Sequence, residues 1–578
     1  MPPGTLRFGP FELDSENFEL RRAGRRVKLD RTPLELLLFL AERPGKLVTH
    51  EEAVEHVWGK DVFIEAEAAL YTAVRKIRQA LGDRSGRPRF IETVARKGYR
   101  FVPPTAHGTQ PQEALRGKRP VLAVLPLENL SGDPGQEYFS DGLTEELTTA
   151  LGKLSPDELG VIARTSAMRY KGAKKSASEI GHELAADYLI EGSVRRSRSR
   201  LRVAIQVIRA ADETHVWAES IERPLGDVLR IQEQVAAAVA QVIRLKLARA
   251  SLGASVPDPE VYDSYLRARY LWAQRTASSV RRAIDYFEHA LGRDARYARA
   301  WAGLGACHAV LPITGDFRPR DSFPRAKEAA ARALDLDDTL PEAHVVRGIV
   351  HFWFDWNWAS AEREFDRARR LNPSDCEARM FLAHLHSNLA RHEEALTGIR
   401  AARSLDPLSL IATTHEGQFL YHARRYDEAV APLERVLELA PRFWIAHIVL
   451  GKVWGVRKLF RQALAHFVKA YRYSLGNTEA EALRGYTLGL SRRAAGARRV
   501  LRELEQQSRR RYIPPVHRAL ISLGLGERGA ALEELEKAVE ERDVRLTFLA
   551  VEPRWESLRA DPRFVAICKR LRLPARSV

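Results

Sequence analysis

Residues 67–101 read EAALYTAVRKIRQALGDRSGRPRFIETVARKGYRF. Leu70, Val74, Ile77 and Leu81 recur at helical spacing and mark the buried stripe of a helix. Arg75, Lys76 and Arg78 then project to its other faces. After a loop, RFIETVARKGYRF reads as a β-hairpin that ends on an aromatic. Nine Lys or Arg and two Asp or Glu lie between Leu70 and Arg100, whereas residues 1–69 carry ten basic and thirteen acidic residues. The positive charge is therefore local to one helix and one hairpin. A basic helix beside a basic hairpin is what a protein needs to seat a helix in a major groove and neutralise the phosphates alongside it.

Upstream, TLRFGPFELDSENFELRRAGRRVKLD alternates in short bursts with turns at Gly9-Pro10 and Gly24, as in a small antiparallel sheet. Thr32 is expected to cap the helix PLELLLFLAERPGK, with Pro33 at its first position, Glu35 completing a capping box and Pro44-Gly45 ending it. A second helix, HEEAVEHVWG, runs from about His50 to Trp58. Val74, Ile77, Trp58 and Tyr99 read as core. Sheet, three helices, then a hairpin is the order of a winged helix. The stretches LDRTPLELLLFLAERPGKLVTHEEAVEHVWG, VRKIRQALGD and RFIETVARKGYRFVPP resemble the OmpR/PhoB-type winged-helix DNA-binding domain over residues 1–104. The resemblance implies that the third helix enters the major groove and that the hairpin wing touches the neighbouring minor groove and phosphates. Carried over by position, Arg75 and Lys76 are base or phosphate readers, with Thr72 on the same side. Arg78 contacts backbone or braces the domain, and Arg96 and Lys97 supply the wing's charge. The wing departs from the family pattern at Ala95, where many members carry Arg. Members usually place a receiver domain first; this chain begins on the DNA-binding domain, so input is expected from the C-terminal side.

Residues 105–119, with TAHGTQPQEALRGKR, read as a linker. From 120 to 255, strands (VLAVLPLENL, LGVIARTSAM) alternate with helices (SDGLTEELTTALGKL, ASEIGHELAADY). A strand pair from Tyr188 and the helix DVLRIQEQVAAAVAQVIRLKL follow, which implies an α/β layer. AVLPLENLSGDPGQEYFSDGLTEELTTAL, VIARTSAMRYKG and LIEGSVRRSRSRLRVAIQVI resemble the TolB-like domain, a label that brings no established chemistry. Asp133, Asp141, Glu145 and Glu146 are read as a loop and a helix first turn rather than a metal site. Arg195, Arg196, Arg198, Arg200 and Arg202 are read as a solvated hairpin rather than an anion patch.

Residues 256–578 repeat themselves. The position of Ala290 recurs as Ala333, Ala368, Ala402, Val436 and Ala470, and further steps of the same length reach Leu504 and Ala538. A second small position recurs as Gly305, Gly348, Ala383, Gly417, Gly451 and Gly485, and Pro373, Pro407 and Pro441 end successive units. The period of about 34 residues is that of tetratricopeptide repeats, here six clear units and two degenerate ones. The longer first step implies an insertion near LPITGDFRPRDSFP, and WESLRADPRFVAICKRL resembles a closing cap. Such arrays present a concave groove, which points to a protein or peptide partner. GLGERG at Gly524–Gly529 fits a dinucleotide fingerprint in letters only, because it sits between two helices.

The three cysteines, Cys307, Cys376 and Cys568, are too scattered for a disulfide framework or a zinc site. No apolar run approaches a bilayer's thickness, and MPPGTLRFGP has no signal-peptide character, so a cytoplasmic protein without membrane contact is expected. No catalytic, metal or cofactor constellation is found. The expected function is a one-component regulator that binds double-stranded promoter DNA as a homodimer, with RNA polymerase as a further partner. The alternatives are a DNA-tethered interaction scaffold and a nucleotide-linked enzyme in the middle domain.

Overall fold

The computed structural model describes residues 5–8, 11–15, 17–22, 25–43, 47–59, 66–81, 90–94, 98–101, 120–154, 158–197, 200–224, 227–242, 258–274, 276–314 and 317–574. The chain divides into two compact units, Met1–Gly117 and Lys118–Val578.

The first unit opens with an antiparallel sheet in sequence order: β1 (Thr5–Phe8), β2 (Phe11–Asp14), β3 (Glu19–Arg22) and β4 (Arg25–Val27). Helices α1 (Arg31–Ala41), α2 (His50–Trp58) and α3 (Ala66–Leu81) follow. A second sheet joins β5 (Leu47–Thr49), β7 (Gly98–Phe101) and β6 (Ile91–Val94), in that spatial order. Phe8, Phe11, Leu37, Leu40, Val74 and Ile77 meet in one core with Phe90, Tyr99 and Phe101. The expected core role of Val74, Ile77 and Tyr99 is met; the side chain of Trp58 lies outside the described residues. Gly98 is needed where it stands: its φ is +150°, and a Cβ there would lie 2.0 Å from the Val48 carbonyl oxygen. Two local readings need correction. α1 starts at Arg31 with Asp30, not Thr32, in the cap position, and the Asp30 side chain makes no capping bond. The capping box belongs to α2, where Thr49 Oγ1 accepts from the Glu52 amide (3.1 Å) and Glu52 Oε2 accepts from the Thr49 amide (2.8 Å).

The second unit begins with a sheet ordered β10-β8-β11-β12-β13, built from β8 (Val121–Val124), β9 (Glu128–Asn129), β10 (Gly160–Val161), β11 (Tyr188–Arg196), β12 (Arg200–Arg209) and β13 (Thr214–Pro224), with β9 pairing on β11. β8 runs parallel to β10 and β11, and β11, β12 and β13 form an antiparallel meander. The expected strand pair is thus three strands. α4 (Glu137–Leu154), the short α5 (Arg164–Ala167), α6 (Ala177–Leu184) and α7 (Val228–Val242) accompany the sheet. α4 begins before the Ser140-Asp141 pair expected to start it, continuing a 3-10 turn capped by Asp133.

Among the described residues eight helical hairpins follow: α8 (Pro259–Ala273) with α9 (Ala277–Arg293), α10 (Ala298–Thr314) with α11 (Pro319–Leu336), α12 (Pro341–Val350) with α13 (Trp358–Leu371), α14 (Cys376–Asn388) with α15 (His392–Leu405), α16 (Leu410–His422) with α17 (Tyr426–Leu439), α18 (Trp444–Val456) with α19 (Phe460–Tyr473), α20 (Thr478–Leu490) with α21 (Ala494–Ser508), and α22 (Pro515–Gly524) with α23 (Arg528–Glu541). α24 (Pro562–Arg570) closes the array. Ala290, Ala333, Ala368, Ala402, Val436, Ala470, Leu504 and Ala538 are all buried. At the second small position, a Cβ on Gly348 would come within 2.5 Å of Phe365, and one on Gly451 within 2.5 Å of Phe467. At these two glycines the paired helices of a hairpin touch, whereas Gly485 on α20 meets Ile521 of the next hairpin. The first helices of successive hairpins also pack on one another, from α10 on α12 through to α20 on α22, so they line the inside of the curve. The sheet layer shares its core with the first hairpin: Leu143, Leu147, Val235 and Val239 join Val261, Tyr265 and Leu266. Among the described residues no helix is long and apolar enough to cross a membrane.

Candidate nucleic-acid interface

α3 owes its orientation to Leu70, Ala73, Val74, Ile77 and Leu81, all buried against α1 and the sheets. Thr72, Arg75, Lys76 and Gln79 are exposed. Their spacing of three, four and seven residues puts them on one face, opposite the stripe. Arg75 has no side-chain partner among the described residues. Lys76 Nζ lies 2.6 Å from Asp30 Oδ2, the residue in the cap position of α1. This hydrogen bond and the ammonium charge hold the Asp30 carboxyl below its usual range. The Asp30 side chain makes no capping bond to its own helix. Exposed pairs of this kind hold weakly.

Arg78 behaves differently. It is half-buried, and Nη2 donates to the Ile91 carbonyl at 2.8 Å, which ties α3 to the first strand of the hairpin. Arg96 and Lys97 lie outside the described residues. Sequence reasoning missed the Lys76–Asp30 pair, because nothing local links positions 46 residues apart.

Elsewhere, several charges that suggested sites are paired with one another, and Arg198 lies outside the described residues. Asp141 pairs with Lys171 at 2.6 Å, Glu145 with Arg269, and Glu146 with Arg299. Arg196 turns inward to Asp263 (2.5 Å) and Tyr138, while Arg200 meets Glu222 across the sheet at 2.7 Å. Among the described residues, no His, Cys, Asp and Glu group is arranged to hold a metal. Gly524–Gly529 joins α22 to α23, the helix–helix setting that disqualified it as a dinucleotide loop.

The inner face of the helical array is covered by the chain's own residues 543–558. Asn388 Nδ2 donates to Thr547 Oγ1 (3.1 Å), Tyr421 Oη to Glu552 Oε1 (2.5 Å) and Arg424 Nη1 to the Val551 carbonyl (3.0 Å). Phe548 packs on the rings of His384 and His422. Lys452 reaches Glu479 (3.3 Å) and Glu552 (3.9 Å), and Arg554 pairs with Glu552 at 2.7 Å. Burial alone would raise the Glu552 carboxyl; Arg554 and Lys452 overcome this and hold it well below the carboxylate range.

Two family models match the chain. Residues 24–101 match "Transcriptional regulatory protein, C terminal", and residues 118–238, where a TolB-like domain was expected, match "HilA/YgeH-like transcriptional regulator, second domain". "Putative adenylate cyclase 3" of Rhizobium meliloti is 34% identical over 324 residues, 54% of this chain and 51% of that protein. The chain thus spans about half the length of that relative. The transcriptional regulator HilA of Salmonella typhi is 23% identical over 431 residues, 73% of this chain and 74% of that protein. The phosphate regulon regulatory protein PhoB of Rhizobium meliloti is 36% identical over 94 residues, 16% of this chain and 40% of that protein. The exposed polar face of α3 therefore belongs to an OmpR/PhoB-type DNA-binding domain, which this chain joins to a HilA/YgeH-like regulator domain and an array of tetratricopeptide-like hairpins.

Proposed function

We propose that this chain is a one-component, cytoplasmic transcription regulator. Residues 1–104 bind promoter DNA, 105–119 link them to a TolB-like α/β domain at 120–255, and the array at 256–578 senses or recruits a protein partner. The exposed row of Thr72, Arg75 and Lys76, set over a fully buried apolar stripe, carries the reading. Arg75 and Lys76 are the base or phosphate readers, Thr72 flanks them, Arg78 holds the helix on the hairpin, and Arg96 and Lys97 extend the surface along the wing. The protein binds repeated half-sites as a homodimer and contacts RNA polymerase there. A partner that enters the inner face of the array displaces residues 543–558.

We read the chain as a regulator and not an enzyme. The two regulator domains and the HilA relative support this, and the name of the Rhizobium cyclase relative describes a protein of which this chain spans about half. The test is a gel-shift titration on a promoter fragment recovered by genome-wide occupancy. Each good base contact contributes about 1–3 kcal/mol, so Arg75→Ala with Lys76→Ala weakens binding at least about tenfold. Unchanged affinity at moderate salt overturns the assignment.

A further inference from the structure

The outer face of the seventh hairpin carries a charge that the winged helix does not explain. Between Arg492 and Arg511 the sequence holds eight arginines, no lysine and two acids, Glu503 and Glu505. α21 buries Ala497, Val500 and Leu504 and turns the rest outward, and all eight arginines are exposed. Some are engaged: Arg498 meets Glu527 at 3.1 Å, Arg499 meets Glu503 at 3.7 Å, and Arg511 donates to Gln507. Arg493, Arg502, Arg509 and Arg510 have no side-chain ion pair among the described residues. The preceding outer segment, 457–477, adds five basic residues and no acid, and α20 packs against both α19 and α21. On either side the sign reverses. α17 carries four acids and one arginine, and α23 carries five acids against Arg528 and Lys537. The basic surface is confined to the sixth and seventh hairpins, so it is not a consequence of the chain's overall +17 charge.

We infer that this outer face, centred on α21, is a second DNA-backbone contact, separate from α3. Arginine without lysine suits phosphate, because the guanidinium fork donates to two phosphate oxygens in one plane and is shed of water more easily than an ammonium. A solvated face kept only for solubility would mix signs, as α13 does with four arginines and three acids. The partner is a duplex whose phosphates run along the outer helices. It supplies affinity and salt dependence without sequence preference. The inference rests on the reading that this chain works on duplex DNA.

The experiment uses the full chain and a random-sequence duplex long enough to extend beyond one winged-helix footprint. The variant is Arg493→Gln, Arg502→Gln, Arg509→Gln and Arg510→Gln together, all exposed, with an unchanged melting curve as the folding control. If all four meet phosphates, the slope of log K against log salt falls by about 3.6. The matching lysine variant retains most of the slope. The same loss is expected in an Arg75→Ala, Lys76→Ala background, because the two surfaces act separately. A slope equal to that of the unaltered chain overturns the inference, including when poly-glutamate still binds the face and marks it as a surface for acidic protein. Loss with the glutamine variant, alongside no loss on a promoter fragment with the α3 variant, overturns the winged-helix reading and keeps this one.

Discussion

Tyr421→Phe is the sharpest test of how the array's inner face is covered. Tyr421 is fully buried near the end of α16, and its hydroxyl donates to Glu552 Oε1 at 2.5 Å. Phenylalanine keeps the ring and its packing, so the change removes one hydrogen bond and little else. A hydrogen bond to a charged acceptor contributes about 1.5–3 kcal/mol. Glu552 keeps Arg554 and Lys452, so the carboxylate is not left alone and the loss stays within that range. The effect is local to the segment that Glu552 anchors. The amides of Leu549, Val551 and Glu552 bond within that segment, to Leu546 and Phe548 carbonyls, and report its opening. Their hydrogen exchange should quicken by about ten- to 150-fold, since each factor of ten corresponds to about 1.4 kcal/mol. Amides of α8 and α9, which take no part in this contact, should exchange as before. A double-mutant cycle with Glu552→Gln assigns the effect to the pair: the two changes together cost less than their sum. Unaltered exchange at 549–552 in Tyr421→Phe refutes the view that Glu552 anchors the segment on the inner face.

Two further outcomes follow from the same geometry. Asp30→Asn removes the acid that holds Lys76 and should tighten DNA binding a few-fold at low salt, an effect absent when Lys76 is already alanine; titration of the two variants in both backgrounds checks it. Acid should weaken the array in two stages. Burial pushes His415 to about 4 and His422 to about 3, and it lowers His384. Each is neutral when folded and protonates near 6.5 when unfolded, so stability is full above about pH 6.5 and falls as pH drops towards the folded values. Glu479, held near 2 against its burial by Lys452 and Arg545, and Glu552 below it, add a second loss beginning near pH 4.5. Urea midpoints measured from pH 8 down to about pH 2 read both stages, and a flat profile between pH 7 and pH 5 contradicts the first.

What could be read in the sequence was whatever repeats or alternates. The stripe of α3 was visible because Leu70, Val74, Ile77 and Leu81 keep helical phase and all face one core. The hairpin array was visible because the same buried apolar position recurs at Ala368, Ala402, Val436 and Ala470. The long first step also had a local cause, since α10 and α11 run to 17 and 18 residues where the hairpins from α14 to α19 use 13 or 14. What was hidden depended on distance along the chain. β5 is three residues long and is a strand because β7 lies beside it. The cap of α1 moved to Asp30 while its carboxylate went to a lysine on another helix. Residues 543–558 have no period, and their place is set by side chains on α14, α16, α18 and α20.

Net charge is a poor guide to this protein's partners until the charges are placed. The +17 total includes Lys452, Arg545 and Arg554, whose charge is matched inside the array by Glu479, Asp543 and Glu552. It includes Arg269 and Arg299, which meet Glu145 and Glu146 between the sheet layer and the first hairpins. None of these can attract a polyanion, because an ion already paired in a buried setting would have to be stripped of its partner at a cost of several kcal/mol. Exposed charge without such buried partners includes Arg75 and the loosely held Lys76 on α3, and the arginines around α21. On the proposed reading, those two surfaces, one on each compact unit, are where the duplex binds. The buried ions have another role: they fix the register of the segment on the inner face, where one Glu must find Tyr421, Lys452 and Arg554 at once.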